Sequence, residues 1–117
     1  MKKSTPDLLD RKGLQTAAVD LLSRRDYSRQ ELWRKLSPKA ESSESLESVL
    51  SDLSERQWQS DERFASMFVR SRSSRGVGPR RLSQELRHKG VSEDITGHAI
   101  EEAEIDWYSQ ALEAAEK

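Results

Sequence analysis

The sequence predicts an all-α, elongated protein built from tandem three-helix repeats, with two complete repeats followed by the first helix of a third. Apolar residues recur at three- and four-residue spacing along the chain, which is typical of amphipathic helices, and no segment shows the sustained alternation of a strand. Hydrophobic residues make up 33% of the 117 residues and charged residues 35%. Much of each helix must therefore face water, which favours an elongated shape over a sphere.

Residues 1–12 are predicted to form a flexible N-terminal tail, because they are polar and interrupted by Pro6. The first three-helix repeat is assigned to residues 13–58. Its first helix follows Gly13 and ends near Arg25. The apolar residues that indicate this helix are Leu14, Ala17, Ala18, Leu21 and Leu22.

The second helix of this repeat begins at a capping-box pattern formed by Ser28 and Glu31. It ends before Pro38, because the residue that precedes a proline is driven out of the helical region. A serine-rich polar loop then provides a cap for a third helix, and Trp58 lies in the linker that follows. The third helix has one apolar stripe, composed of Leu46, Val49, Leu50 and Leu53.

The second repeat is assigned to residues 59–104 and is the more basic of the two. Ser60 is predicted to cap its first helix, and Asp61 and Glu62 in the first turn oppose the positive end of the helix dipole. The buried stripe of this helix is predicted to consist of Phe64, Met67 and Phe68.

A glycine-containing break at residues 73–78 separates this helix from the next. Pro79 suits the first position of that next helix, since its missing N–H costs nothing there. Leu82 and Leu86 are expected to face inward, and Gly90 is predicted to end the helix in a left-handed conformation.

Two further helices are predicted towards the C-terminus. Ser92 caps a sixth helix, and a seventh begins around Asp106. The seventh is assigned, over residues 105–117, to an incomplete third repeat. The inner face of the sixth helix is Ile95, Ala99, Ile100 and Ala103, and that of the seventh is Trp107, Ala111 and Ala114.

An internal repeat supports this organisation. Ala18, Ala65 and Ala111 take equivalent positions in the first helix of each repeat and are 47 and 46 residues apart. The second helices agree as well, because RQELWRKL and SQELRHKG share four identical residues. A three-helix unit of fewer than about 50 residues is marginally stable alone, so neighbouring units are expected to pack end to end.

The strongest functional signal is a basic run at residues 69–90. Seven cations face one carboxylate, Glu85, which gives the segment a charge of +6 in a chain whose net charge is −1. Such a local excess is typical of a surface that binds a polyanion or an acidic protein groove; the alternative is a solvated helix face. The candidate binding residues are Arg70, Arg72, Arg75, Arg80, Arg81, Arg87 and Lys89.

A weaker basic patch occurs in the first repeat. Guanidinium groups suit this kind of site, because they pair bidentately with carboxylates or phosphates. Trp33, Trp58 and Trp107 either stack on nucleobases or pack between helices, and packing is the more common role. The candidate binding residues of the first repeat are Arg24, Arg25, Arg29, Arg34 and Lys35.

Other chemistries have little support in the sequence. The chain has no cysteine, which excludes disulfides. Gly76 and Gly78 lack the third glycine of a dinucleotide-binding loop and are assigned to a turn. His88 and His98 have no metal-ligand pattern around them, and no nucleophile, base and orienting group occur together. We therefore expect a non-enzymatic protein without a metal or cofactor.

Three segments resemble the RecX family of bacterial regulatory proteins, which modulate the RecA recombinase. They are AVDLLSRRDYSRQELWRKL, SDERFASMFVRSR and GVGPRRLSQELRHKG. The last two are the more specific, because they combine a DERFA helix start, an arginine-bearing helix, a Gly-Pro break and an E-L-x-x-K-G helix. The resemblance extends from Leu14 to Trp107 and implies tandem three-helix repeats.

The resemblance also implies a function. A protein of this family is expected to bind RecA and its nucleoprotein filament, to touch DNA phosphates, and to limit filament extension, ATP hydrolysis and strand exchange. We expect it to act as a monomer in the cytoplasm, away from membranes, in recombination, DNA repair and the SOS response. The alternative is a sequence-independent DNA-binding helical module that acts without RecA, with the helix from Pro79 entering a groove.

Overall fold

The structure is a computed structural model that describes the backbone of residues 8–116 and the side chains of residues 8–104. Within this range the chain is all-α, as predicted, and its only β pairing is an isolated bridge between Leu9 and Ala40. It divides into two compact units, which meet in sequence at Ser60 and Asp61. The helices are α1 (Arg11–Arg24), α2 (Arg29–Leu36), α3 (Ser43–Glu55), α4 (Asp61–Ser73), α5 (Pro79–His88) and α6 (Glu93–Glu116), with a 3-10 turn at Ser37–Lys39.

Helix α1 begins two residues earlier than the sequence predicts. Asp10 caps it, because its side chain accepts a hydrogen bond of 2.9 Å from the backbone N–H of Gly13. Leu9 forms two backbone hydrogen bonds of 2.8 Å with the loop that precedes α3. The predicted boundary between tail and helix is therefore corrected, since these bonds order the chain before Gly13. Residues 1–7 lie outside the described part.

The predicted capping box at the start of α2 is confirmed. The N–H of Glu31 donates to the hydroxyl of Ser28, and the N–H of Ser28 donates to the carboxylate of Glu31, each at 3.1 Å. The helix ends at Leu36, and Pro38 lies in the 3-10 turn that follows. These local bonds fix the direction of α2 relative to the turn at Tyr27.

The core of the first unit is formed by one face of each of its three helices. Every member of the predicted α3 stripe is at most 1% exposed. Full burial of a leucine side chain contributes about 1.5 to 3 kcal/mol to stability, so this cluster is the main apolar contact that holds the three helices together. The buried residues are Leu14, Ala18, Tyr27, Leu32, Leu36, Leu46, Val49, Leu50 and Leu53.

The second unit has its own core, and one predicted member is wrong. The side chain of Met67 is 56% exposed, whereas Ala65 and Val69 are buried. Met67 is two positions from each of them, and residues two positions apart in a helix point about 200° apart around its axis. Met67 therefore lies on the opposite side of α4 from Ala65 and Val69. The buried residues of this unit are Phe64, Ala65, Val69, Leu82, Leu86, Val91 and Ala99, and Phe68, Val77, Ile95, Ile100 and Ala103 pack against them in part.

The turns of the second unit follow the sequence signals. Gly76 has a φ of +87° and Gly90 a φ of +80°, both in the left-handed region that glycine tolerates without strain. Pro79 is the first residue of α5, as predicted. The N–H of Ile95 donates to the hydroxyl of Ser92 at 3.2 Å, which confirms the predicted cap of α6.

The sequence predicts a break near Asp106, but α6 runs without interruption from Glu93 to Glu116. The reason is that the segment after Ala103 has no glycine or proline and is rich in alanine and glutamate, which favour helix continuation. A separate seventh helix is therefore corrected to the C-terminal half of α6. The assignment of residues 105–117 to a third repeat remains a prediction, and the side chain of Trp107 lies outside those described.

The two units share equivalent core positions. Ala18 in α1 and Ala65 in α4 are both fully buried, as the repeat offset predicts. The third helices of the two units align at an offset of 50 residues, which pairs Leu46 of α3 with Thr96 of α6. This pair differs in chemistry, because an apolar residue in the first unit corresponds to a polar residue in the second. No helix in the described part of the chain has the length and apolar character required to cross a membrane.

Candidate functional site

The seven candidate cations of the second unit form what we call the basic surface: Arg70, Arg72, Arg75, Arg80, Arg81, Arg87 and Lys89. Two of them occupy the last turn of α4, one lies in the turn between α4 and α5, three lie on α5 and one directly follows it. Arg72 and Lys89 are half-buried and the other five are exposed. The structure therefore places all seven on two adjacent helices and the turn that joins them.

Local structure explains why these cations point outward. Leu82 and Leu86 are at most 1% exposed and fix the inner face of α5. The polar positions between them then face solvent. The turn is closed by a hydrogen bond of 3.1 Å from the N–H of Val77 to the carbonyl of Arg72. This closure brings the end of α4 close to the first turn of α5.

Glu85 makes ion pairs with cations of two different helices. Its carboxylate lies 3.6 Å from the Nε of Arg72 in α4 and 3.0 Å from the Nε of Arg81 in α5. The second pair follows the favourable four-residue spacing of a helix, although in the weaker order with the cation first. The first pair joins residues thirteen positions apart and depends on tertiary packing.

The ring of Phe68 makes cation–π contacts with two members of the basic surface. The guanidinium carbon of Arg72 lies 4.6 Å from the centre of the ring, and the Nζ of Lys89 lies 5.8 Å from it. Both distances are within the range of cation–π attraction. The ring thus holds the side chains of Arg72 and Lys89 near each other, despite their like charges.

The basic surface has more acidic compensation than the sequence predicts. Besides Glu85, the structure brings Glu93 of α6 within 2.9 Å of the Nη2 of Arg87. Arg75 and Arg80 have no ion pair among the described residues, and both are exposed. These two arginines are the members of the basic surface that are most available to an external anion.

Two open grooves lie beside α5. One, of about 690 Å³, runs along its first turn and includes Arg80, Arg81 and Glu85. The other, of about 620 Å³, lies between α5 and α6, with Arg80 and Arg87 on one side and Glu101 and Glu104 on the other. Both are surface features without an enclosed apolar interior, so they suit contact with a macromolecule rather than a small molecule.

The candidate cations of the first unit are mostly engaged within that unit. Arg24 pairs with Asp20 at 3.0 Å and Arg25 with Glu31 at 3.4 Å. The guanidinium of Arg25 also covers the ring of Tyr27 at 3.7 Å.

Arg29 bonds both Glu47, at 2.9 Å, and Ser51, at 3.2 Å. Among the residues with described side chains, Arg34 and Lys35 have no ion pair and are exposed. Each unit therefore keeps two candidate cations that are exposed and have no ion pair among the described residues.

The two tryptophans with described side chains differ in their exposure. Trp33 is half-buried and packs against the core of the first unit. Trp58 is 48% exposed, with the guanidinium of Arg56 at 6.0 Å from its ring. Trp58 thus keeps a ring surface in solvent, whereas Trp33 acts mainly in packing.

The histidines stand apart from any cluster of ligands. His88 is exposed, and His98 lies 3.6 Å from Glu102 on α6. Between residues 8 and 104, no group of three or more histidine, cysteine, aspartate or glutamate side chains is arranged to hold a metal ion.

The sequence alone misses the part that Glu85, Glu93 and Phe68 play in the basic surface. The pairing of Glu85 with Arg81 could have been found from their four-residue spacing. The other contacts join residues of different elements, and no local pattern indicates them.

Comparisons with known proteins agree with this arrangement. Residues 16–53 match the family model described as "RecX, first three-helix domain", and residues 60–102 match "RecX, second three-helix domain". The two matched segments include all or part of each of the three helices of each unit, in order. They support the internal repeat and the predicted number of complete repeats.

Curated relatives and a solved structure show the same likeness. The regulatory protein RecX of Actinobacillus pleuropneumoniae serotype 5b is 47% identical over 97 residues, which cover 83% of this chain and 64% of the relative. That of Haemophilus influenzae (strain 86-028NP) is 48% identical over 94 residues, which cover 80% of this chain and 62% of the relative. The chain thus spans less than two thirds of these relatives.

A crystal structure of a regulatory protein RecX superposes with a TM-score of 0.74 at 25% sequence identity. The match covers 79% of this chain and 47% of that chain. The relatives are named as regulatory proteins, in agreement with the expectation that the chain is not an enzyme.

Proposed function

The chain belongs to the RecX family, and from this we propose that it binds RecA and its DNA filament and negatively modulates filament extension, ATP hydrolysis and strand exchange. The observation that carries the proposal is the match of both three-helix units to the two RecX domains. Modulation of this kind requires binding and no chemical step by this chain.

The basic surface is the part of the chain that best suits the filament. The filament combines protein with DNA, and DNA phosphates attract exposed arginine and lysine at long range. Arg75 and Arg80 are exposed, and among described residues they have no carboxylate partner. We assign them the first contacts with the filament, with Arg34 and Lys35 of the first unit in a secondary role.

A sequence-independent DNA-binding module that acts without RecA is the second candidate. It is favoured by the position of Arg80, Arg81 and Arg87 on one short helix that begins after a tight turn. A reader helix of this length can lie in a DNA groove. The two candidates differ in whether RecA is needed for binding.

The rate of ATP hydrolysis by RecA on single-stranded DNA, measured as this protein is added, tests the proposal. The parent is expected to lower the rate. A variant with Arg70, Arg72, Arg75, Arg80 and Arg81 replaced by alanine is expected to lose most of this effect, because five cationic contacts are removed while the core residues are unchanged.

The matched control carries lysine at the same five positions. It keeps the charge and loses only bidentate geometry, so it should retain part of the inhibition. Circular dichroism establishes that all three proteins are folded. A parent that leaves the hydrolysis rate unchanged at a molar excess would contradict the proposal.

A further inference from the structure

Glu85 is the only carboxylate within residues 69–90, and it faces two arginines at once. Its Oε1 lies 3.6 Å from the Nε of Arg72, and its Oε2 lies 3.0 Å from the Nε of Arg81. One carboxylate oxygen thus faces each guanidinium. The arginines come from α4 and α5, so this carboxylate acts as a counterion between two helices.

The local charge is not balanced by this one carboxylate. Lys89 approaches the same Phe68 ring that Arg72 covers, which brings a third cation to the cluster. The side chains of Glu85 and Arg72 are 31% and 36% exposed. Solvent therefore reaches the cluster and an external anion can also approach it, while screening by water is incomplete.

The guanidiniums have unused donors and space beside them. Each has five N–H donors in a fixed plane, and Glu85 faces only the Nε position of each. The groove of about 690 Å³ along the first turn of α5 opens next to Arg81 and Glu85. The two non-bridging oxygens of a phosphodiester can take the place of the two carboxylate oxygens, because both groups accept hydrogen bonds in a fork.

We propose that Arg72 and Arg81 form a phosphodiester-binding site and that Glu85 is its internal counterion, which competes with DNA phosphates for the two guanidiniums. The proposal rests on the proposed function in taking the basic surface as the one that meets the DNA of the filament. Glu85 then weakens binding to bare DNA, so that contact with the filament depends on additional contacts with protein.

A phosphodiester chain fits this surface better than the carboxylates of a protein groove. The seven cations of the basic surface follow one another along two helices, with a single acid among them. DNA presents a regular series of anions without intervening cations, whereas a protein surface carries both signs. Successive phosphates can therefore bind Arg75 and Arg80 in addition to the two arginines that pair with Glu85.

The test measures binding of a fluorescein-labelled single-stranded oligonucleotide by fluorescence anisotropy, in the absence of RecA. Glu85→Gln keeps the size of the side chain and removes its charge. It is expected to bind the oligonucleotide roughly five-fold more tightly than the parent, because a partly exposed ion pair no longer competes with phosphate for the arginines. The plot of log affinity against log salt should become steeper by about 0.7, the value for one additional phosphate contact on a single strand.

Glu102→Gln is the matched control. It removes the same charge from the same unit, but the Glu102 side chain is 56% exposed and lies 3.6 Å from His98, which is not a member of the basic surface. Its expected change in affinity is less than two-fold. Adding Arg72→Ala and Arg81→Ala to the Glu85→Gln variant is expected to return affinity to the parent value or below. Thermal unfolding verifies that each variant is folded.

Several outcomes would overturn the proposal. Equal gains for Glu85→Gln and Glu102→Gln would mean that only net charge matters. An unchanged affinity of Glu85→Gln, or no measurable binding of any variant to the oligonucleotide, would rule out a phosphodiester site.

Because RecA is absent from the oligonucleotide assay, this test is separate from that of the proposed function. A parent that binds the oligonucleotide but leaves RecA hydrolysis unchanged contradicts the proposed function alone. A parent that inhibits RecA without the expected effect of Glu85→Gln contradicts the further inference alone.

Discussion

At the scale of single residues, Thr96 is the clearest irregularity in the second core. It is 5% exposed, and its hydroxyl has no hydrogen-bond partner among the described residues. The equivalent residue of the first unit is Leu46, which is fully buried. A buried hydroxyl without a partner loses its hydration without compensation, so this position costs the second unit stability that the first unit keeps.

Thr96→Val is therefore expected to stabilise the protein by about 1 kcal/mol, since valine has the same shape without the unsatisfied hydroxyl. Urea unfolding followed by circular dichroism measures the change. Thr16→Val serves as control, because Thr16 is exposed and its hydroxyl donates to the carbonyl of Lys12 at 3.1 Å. The control should be neutral or slightly destabilising, and a gain of equal size at both positions would refute the explanation.

At the scale of elements, local caps and turn residues define where each helix begins and ends. Helices as short as α2, with 8 residues, are not stable alone in water. Their ends must therefore be fixed by side chains while their faces are held by the core. The first unit contains two serine caps, of which Ser28 is buried and Ser42 is exposed.

Ser28→Ala is expected to destabilise the first unit by about 1 to 2 kcal/mol, because Ser28 is fully buried and belongs to a reciprocal capping box. Ser42→Ala should cost less, about 0.5 to 1 kcal/mol, since Ser42 caps α3 through a single backbone bond of 3.1 Å at an exposed position. Chemical denaturation of both variants tests the order. A larger loss at Ser42 would contradict it.

At the scale of the whole molecule, charge is distributed unevenly along the chain. Residues 69–90 carry +6, so the rest of the chain carries −7 to give the net charge of −1. Residues 1–60 carry +1 and residues 91–117 carry −7, so the acidic excess lies in the second unit, after the basic surface. Positive charge attracts a polyanion and negative charge repels it, so the proposed contact with DNA is centred on the basic surface.

Binding of the parent to single-stranded DNA should therefore weaken steeply with salt. Two to four phosphate contacts predict a slope of about −1.4 to −2.8 in log affinity against log salt, at about −0.7 per contact. The variant with alanine at the five arginines from Arg70 to Arg81 should show a slope near zero. Anisotropy titrations between low and moderate salt measure both, and equal slopes would place the DNA contact outside the basic surface.

Features that depend on near neighbours in the chain were predictable from the sequence. The starts of α2 to α6, the capping box at Ser28, the first-turn proline at Pro79 and the left-handed Gly90 all arise from spacing and backbone geometry within a few residues. The family resemblance also lies in such local segments. For these features, the chemistry of a short stretch is sufficient.

Tertiary structure decided which side of each helix is buried and which charges meet. Met67 has the hydrophobicity of a core residue, but the packing of α4 turned it towards solvent. Glu85 reached Arg72, and Glu93 reached Arg87, only because separate elements were brought side by side. The periodicity of the sequence shows that a helix has an apolar stripe, but this stripe is several residues wide. Only contact with the other helices determines which of its residues are buried at the centre of the interface. The same contacts determine which charged side chains meet at its edges.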